Sequence, residues 1–296
     1  MLSPIWLTPH LDGVKLSAAE IRLAVRIALL EDIGSGDATT LATVPGNLRA
    51  TALLRAREPL KVAGIEFAET AFRLLSRRIT VRNFLPDSRQ AEAGQTVLKI
   101  AGPARAILMA ERVALNYLQR LSGVATATAA FVAAVAGTNA RILDTRKTTP
   151  GWRRFEKYAV TCGGGKNHRA GLFDMILIKD NHLAVLRGQK PNAIAAAVTR
   201  ARQSFPRLKI EVEADTLEQV AEAVAAGADV VLLDNMNLKQ LRTAVKLSAG
   251  RVLTEASGGV NLKTVRAIAN TGVDFISVGA ITHSSPAVDL GLDFVE

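Results

Sequence analysis

Cysteine is nearly missing from this sequence: its 296 residues hold one, Cys162. A single thiol cannot close an intramolecular disulfide, which excludes a stapled secreted scaffold and predicts a reducing, cytoplasmic setting. Aromatic residues are scarce too, at 4%, too few for the stacking platforms that read single-stranded nucleic acid. Long apolar runs are also missing. The longest weakly polar stretch, Val124 to Gly137, carries two threonines and is too short to span a bilayer, so it reads as a buried helix. Met1 to Lys15 has no basic segment leading into an apolar run, and no leader peptide is expected. The four histidines, His10, His168, His182 and His283, show no metal-ligand spacing, and Cys162 has no second cysteine. Both facts argue against zinc.

What is present describes an ordinary globular chain, 49% hydrophobic and 22% charged. The length suits one large domain or two moderate ones. Lys and Arg number 37 against 27 Asp and Glu, a net +10. That excess predicts anionic company: nucleic acid, an acidic membrane face or small polyanionic substrates.

The first hundred residues mix helix and strand. Ser17, followed three residues later by Glu20, has the form of a capping box opening an amphipathic helix through Leu30. Leu48 to Arg57, Ile79 to Leu85 and Thr96 to Ala101 read as strands, with a helix from Gly64 to Ser76. Gly102 and Pro103 are expected to break the pattern, and a long helix follows from Ala104, interrupted near Ser122 and Gly123.

From Arg141 short apolar runs alternate with helical segments. The runs are Ile142–Leu143, Met175–Ile178, Ile210–Val212, Val230–Leu233, Val252–Leu253 and Phe275–Val278. The later spacings of about 21 to 24 residues fit one strand plus one helix, hence a parallel sheet. Gly227 and Gly272 stand where helix C-caps are wanted. Every run leads into a charged residue or glycine: Asp144, Lys179, Glu213, Asp234, Glu255, Gly279. An open sheet gathers chemistry at one crevice, whereas strand ends of a (β/α) barrel converge on one mouth. Six runs favour an incomplete α/β barrel over 116–284. The expected partner is an α/β sandwich over 1–115, joined by the tail 285–296.

The densest chemistry lies between Arg141 and Arg169, where eight Lys or Arg against two acids give +6 of the total charge. Here Asp144 to Gly151 is followed by Gly163 to Arg169. Glycine lets backbone N–H groups approach an anion, and an arginine fork matches a carboxylate. Lys179 is either a fixed charge or a Schiff-base nucleophile. Glu213 and Asp234 can hold Mg²⁺ through oxygens or waters, or act as an acid–base pair. Ser257, Gly258 and Gly259, then Ser277, Val278, Gly279 and Ala280, follow the last two strands, where barrels bind phosphate.

Together these segments resemble the quinolinate phosphoribosyltransferase family, from Glu31–Asp37 through Glu111–Arg112 and Leu121–Gly123 to Gly279–Ser284. Its most specific parts are Asp144–Gly151, Gly163–Arg169, Ile178–His182 and Leu232–Asn235. The resemblance implies an N-terminal α/β sandwich beside an incomplete barrel. It also implies phosphoribosyl transfer to quinolinate with release of pyrophosphate and CO₂, a step of NAD synthesis. Arg146, Lys147, His168 and Arg169 would then bind the quinolinate carboxylates, joined by Arg112 from the second subunit of a homodimer. The order of assembly beyond the dimer stays open. Lys147, Lys179, Glu213 and Asp234 would form the catalytic set, Glu213 and Asp234 with Mg²⁺ and pyrophosphate. Ser257–Gly259 and Ser277–Ala280 would hold the 5′-phosphate.

Three rivals remain at this stage. A paralogous group that accompanies molybdenum uptake shares the Thr-Arg-Lys-Thr and Gly-rich segments but lacks the Lys179–His182 run. An aldolase-like barrel would use Lys179 as a Schiff base. A nucleic-acid binder is suggested by charge alone, without aromatics to support it, and no membrane partner is expected.

Overall fold

The computed structural model describes residues 13–295. His10, and most of the Met1–Lys15 segment on which the leader expectation rests, lie outside that range. In chain order the first elements are α1 (Ala18–Ile33), α2 (Ala38–Thr43), β1 (Arg49–Ala56), β2 (Leu60–Lys61) and α3 (Ile65–Leu75). They are followed by β3 (Thr80–Asn83), β4 (Gln90–Ala91), β5 (Thr96–Pro103) and α4 (Ala104–Ala134). Next come β6 (Arg141–Leu143), α5 (Arg153–Cys162), β7 (Ile176–Ile178), α6 (Asp180–Val185), α7 (Ala193–Ser204) and β8 (Ile210–Ala214). The series continues with α8 (Leu217–Ala226), β9 (Val230–Asp234), α9 (Leu238–Ser248) and β10 (Leu253–Ser257). It ends with α10 (Val265–Ala269), β11 (Phe275–Ser277), α11 (Ala280–His283) and β12 (Leu290–Val295).

Two compact units result. Among the described residues, one holds 14–129, 154–164 and 284–295, the other 130–153 and 165–283. The expected boundary at 115/116 falls inside α4, which runs unbroken past it.

The first unit is built on an antiparallel sheet ordered β12-β1-β5-β3. Ala52, Leu54 and Ala56 alternate into its core from β1, the period a half-buried strand dictates. On α3 the residues Ile65, Phe67, Ala68, Ala71 and Phe72 form one buried face. Ser17 and Glu20 close the expected capping box of α1. Phe155 of α5 meets Phe67 edge to face at 5.0 Å, which explains why 154–164 belongs to this unit.

Two expected breaks are corrected. Strand β5 runs on through Gly102 and Pro103, paired with Ala50 and Arg49; a Cβ at Gly102 would lie 2.8 Å from Ile79 Cγ1. Helix α4 does not break at Ser122–Gly123. There Ser122 Oγ accepts the Ala63 N–H at 3.0 Å, and a Cβ on Gly123 would stand 2.0 Å from Pro286 O. Both residues serve close packing in a continuous helix.

The second unit is a six-stranded parallel sheet, ordered β6-β11-β10-β9-β8-β7. Its end strands β6 and β7 are not hydrogen-bonded to each other, so the barrel is incomplete. Thr216 with Gln219 and Asn237 with Gln240 form capping boxes on α8 and α9. Gly227 caps α8 in the left-handed region, as expected. Gly272 does not cap α10, which ends at Asn270 in right-handed geometry. Among the described residues no helix is long and apolar enough to cross a membrane.

Candidate active site

Parallel pairing sets the polar residues in tiers. Glu213 of β8 lies level with Leu232 of β9, which lies level with Glu255 of β10. Two residues nearer the C-terminal ends, Asp234 pairs with Ser257. Ser277 follows the Ala256–Ile276 pair and so joins that outer tier. Glu255 is therefore not a strand end, as its apolar run suggested. It stands inside β10, 2% exposed, and Ser257 ends the strand.

Lys179 precedes α6, and its Nζ donates to Glu213 Oε2 at 2.6 Å. Asp234 Oδ2 accepts from Asn235 Nδ2 at 2.7 Å. Asn235 has a φ of 54°, and its N–H donates to Ser257 O at 3.0 Å. Gly258 packs over it with a φ of 98°, where a Cβ would lie 2.1 Å from Asn235 Oδ1. Only glycine fits there. Gly259 also has a positive φ and is exposed. Val278 N–H is taken by Leu143 O, while Gly279 and Ala280 open the short α11. Lys147 is exposed, and its carbonyl accepts the Thr282 hydroxyl at 2.7 Å.

The Gly163–Gly165 run does something other than expected. The N–H groups of Gly163 and Gly164 are spent on Ala159 O and Thr161 O, and a Cβ on Gly163 would meet Ala125 O at 2.4 Å. Those glycines end α5 and let it pack. The residues after them carry the polar contacts. Lys166 N–H donates to Ile142 O at 2.8 Å, extending the sheet beside β6. Buried Asp144 then accepts from Asn167 Nδ2 at 2.6 Å and from the His168 N–H at 2.8 Å. His168 Nε2 lies 2.9 Å from Glu211 Oε2.

Arg169 follows, 7% exposed, with Nη1 donating to Met175 O at 3.2 Å. Burial, then the nearby Arg146 charge, pulls its pKa below the ordinary arginine value, against Glu211 and Asp174. Arg146 Nε is buried and has no hydrogen-bond partner. Two neighbouring guanidiniums, one with an unmet donor, leave an electrostatic deficit that an anion relieves.

Glu213 and Asp234 offer oxygen donors only, each with one oxygen already engaged. That set cannot cage a bare ion but suits a hard divalent cation that keeps waters and shares substrate phosphates. Arg112 is exposed on α4 in the first unit. Sequence reasoning passed over Glu211, inside the run Ile210–Val212. Its signal was available: acids at 211 and 213 alternate with Ile210 and Val212 and so share one strand face.

Known proteins resemble this chain along most of its length. The quinolinate phosphoribosyl transferase N-terminal domain profile matches residues 37–122, and the C-terminal domain profile matches 124–293. The nicotinate-nucleotide pyrophosphorylase (carboxylating) of Mycobacterium leprae is 42% identical over 280 residues, 92% of this chain and 96% of that protein. A probable enzyme of the same name from Bacillus subtilis is 42% identical over 265 residues, 89% and 90% of the two chains. The solved nicotinate-nucleotide pyrophosphorylase of Francisella tularensis superposes with a TM-score of 0.89 at 40% identity, covering 95% of this chain and 98% of that one. With both domains matched in order across most of its length, this chain belongs to the quinolinate phosphoribosyltransferase family.

Proposed function

We propose that the chain transfers phosphoribose from phosphoribosyl pyrophosphate to quinolinate and decarboxylates the product, giving nicotinate mononucleotide, pyrophosphate and CO₂. The carrying observation is buried Arg169 beside half-buried Arg146, whose Nε is an unmet, buried donor. A dicarboxylate answers that deficit. Exposed Lys147, and Arg112 from a second copy, would complete its binding.

The chemistry asks for alignment and charge rather than a base. The pyridine nitrogen attacks ribose C1 with its lone pair while the C1–oxygen bond to pyrophosphate breaks. Lys179, held against Glu213, stands beside that centre, and Glu213 with Asp234 would orient the ribose hydroxyls. Mg²⁺, kept by those two carboxylates through water, would take up charge on the leaving pyrophosphate. Ser257–Gly259 and Ser277–Ala280 would receive the 5′-phosphate. The bond from ring carbon to CO₂ then breaks, its electron pair drawn toward the pyridinium nitrogen, and a proton from water replaces it.

A homodimer working in the cytoplasm is part of this reading. In its support, α1 exposes Leu23, Ile27 and Leu30, 57–63% accessible, opposite buried Ile21, Val25 and Leu29. Such a stripe suits a second copy. The test is an assay with quinolinate, phosphoribosyl pyrophosphate and Mg²⁺, following nicotinate mononucleotide and CO₂. Nicotinate, with one carboxylate, should be a far poorer acceptor, because it leaves cations unpaired. Equal turnover of the two acids would refute the carboxylate assignment.

A further inference from the structure

Three buried groups beside the arginine pair have no part in the steps above. Glu211 and Glu255 are 0% and 2% exposed, and the Oε1 atom of each is without a hydrogen-bond partner. His168 lies between them, its Nε2 2.9 Å from Glu211 Oε2 and 3.6 Å from Glu255 Oε2. Its other ring nitrogen, Nδ1, accepts the backbone N–H of Arg169 at 2.8 Å. An amide N–H can only donate, so Nδ1 carries no proton. Nε2 must carry it and donate to Glu211. Both nitrogens are thus committed, one to a buried carboxylate and the other to the next residue's backbone.

We propose that His168 is a positioning residue rather than a ligand of the substrate carboxylate. Glu211 fixes its Nε2–H tautomer, and the ring in turn fixes the backbone from which the Arg169 guanidinium is aimed. Aim matters because a planar fork makes two-point contact with a carboxylate only in register. The guanidinium bond to Met175 O, at 3.2 Å, is long. The backbone is held better: Asp144 grips the His168 N–H and the ring grips that of Arg169. His168, Glu211 and Glu255 could also gather a metal ion, since their ligand atoms lie within 4.8 Å of one another. The charges of Arg169 and Arg146 oppose that occupant.

The test uses the whole protein, labelled with ¹⁵N in its histidine rings and free of substrate. The signal that disappears in His168→Asn should show a bare Nδ1 and a protonated Nε2, and should keep that pattern when quinolinate binds. An Nδ1–H tautomer, or an imidazolium appearing with quinolinate, overturns the proposal. In kinetics, Glu211→Met removes the acceptor and should raise the KM for quinolinate about tenfold or more. The kcat and the KM for phosphoribosyl pyrophosphate should stay within about twofold. Glu211→Gln, whose amide oxygen still accepts the Nε2–H, should recover most of that loss.

If Glu211→Met does not fold, His168→Asn and His168→Leu decide. Asparagine places an oxygen where Nδ1 stands, so it should bind quinolinate more tightly than leucine does; equal losses overturn the proposal. So would a stoichiometric metal ion in the purified protein that Glu211→Gln removes. The inference rests on quinolinate as substrate, yet the two fail separately. The ring signature belongs to the free protein, while absent turnover by the wild type sinks the substrate reading alone.

Discussion

Glu255 shows how burial rewrites the chemistry of one side chain. Burial first, then the Glu211 charge, pushes its pKa above the ordinary value of 4.5, while His168 and the Ser277 hydroxyl pull the other way. An acid whose folded pKa is raised binds extra protons in the native state. Its stability contribution is therefore full below the ordinary value and lost as pH rises through the folded one. Glu255→Gln stays neutral throughout, so its stability relative to wild type should improve from about pH 5 to about pH 8. Urea unfolding across that range checks this, and a difference that stays flat would refute it. A second residue-scale outcome concerns the outer carboxylates. Glu213→Gln and Asp234→Asn remove a charge at nearly constant shape, so use of phosphoribosyl pyrophosphate should suffer more than quinolinate binding. A titration in which quinolinate affinity collapses while phosphoribosyl pyrophosphate kinetics stay normal would mean the two subsites are reversed.

At the scale of elements, the capping box at Ser17 and the strand-plus-helix period were legible because both are local patterns. What the sequence hid was long-range contact. Gly123 reads as a helix breaker by propensity, yet it sits inside α4 because Pro286, more than 160 residues away, leaves no room for a side chain. Gly163 reads as part of an anion cradle, yet it packs against α4 at Ala125 and Thr128. Glu211 was lost within an apolar run because its acceptor role depends on His168, from a separate loop. The tension at Gly123 can be measured. Alanine in a helix interior gains up to about 1 kcal/mol over glycine, whereas overpacking a tight site costs about 1–3 kcal/mol. With a Cβ placed 2.0 Å from a backbone oxygen, the second term should win and Gly123→Ala should melt at a lower temperature. A higher melting temperature would show that α4 can move away from Pro286.

For the whole molecule the open question is whether one chain makes a complete site. Arg112 belongs to the first unit and is exposed on α4, whereas Lys147 follows β6 in the second. The proposed function would pair them across a dimer: Arg112 of one copy would serve the barrel mouth of the other. An Arg112→Ala chain and a Lys147→Ala chain should then each be nearly inactive alone, for opposite reasons. After mixing and subunit exchange, each heterodimer holds one site built from two intact contributions and one site that lacks both. Random pairing makes about half the dimers mixed, and each has one good site of two, so about a quarter of wild-type activity should return. Native mass measurement verifies the exchange independently of activity. Exchanged dimers with no recovered turnover would place Arg112 in its own chain's site, or in none.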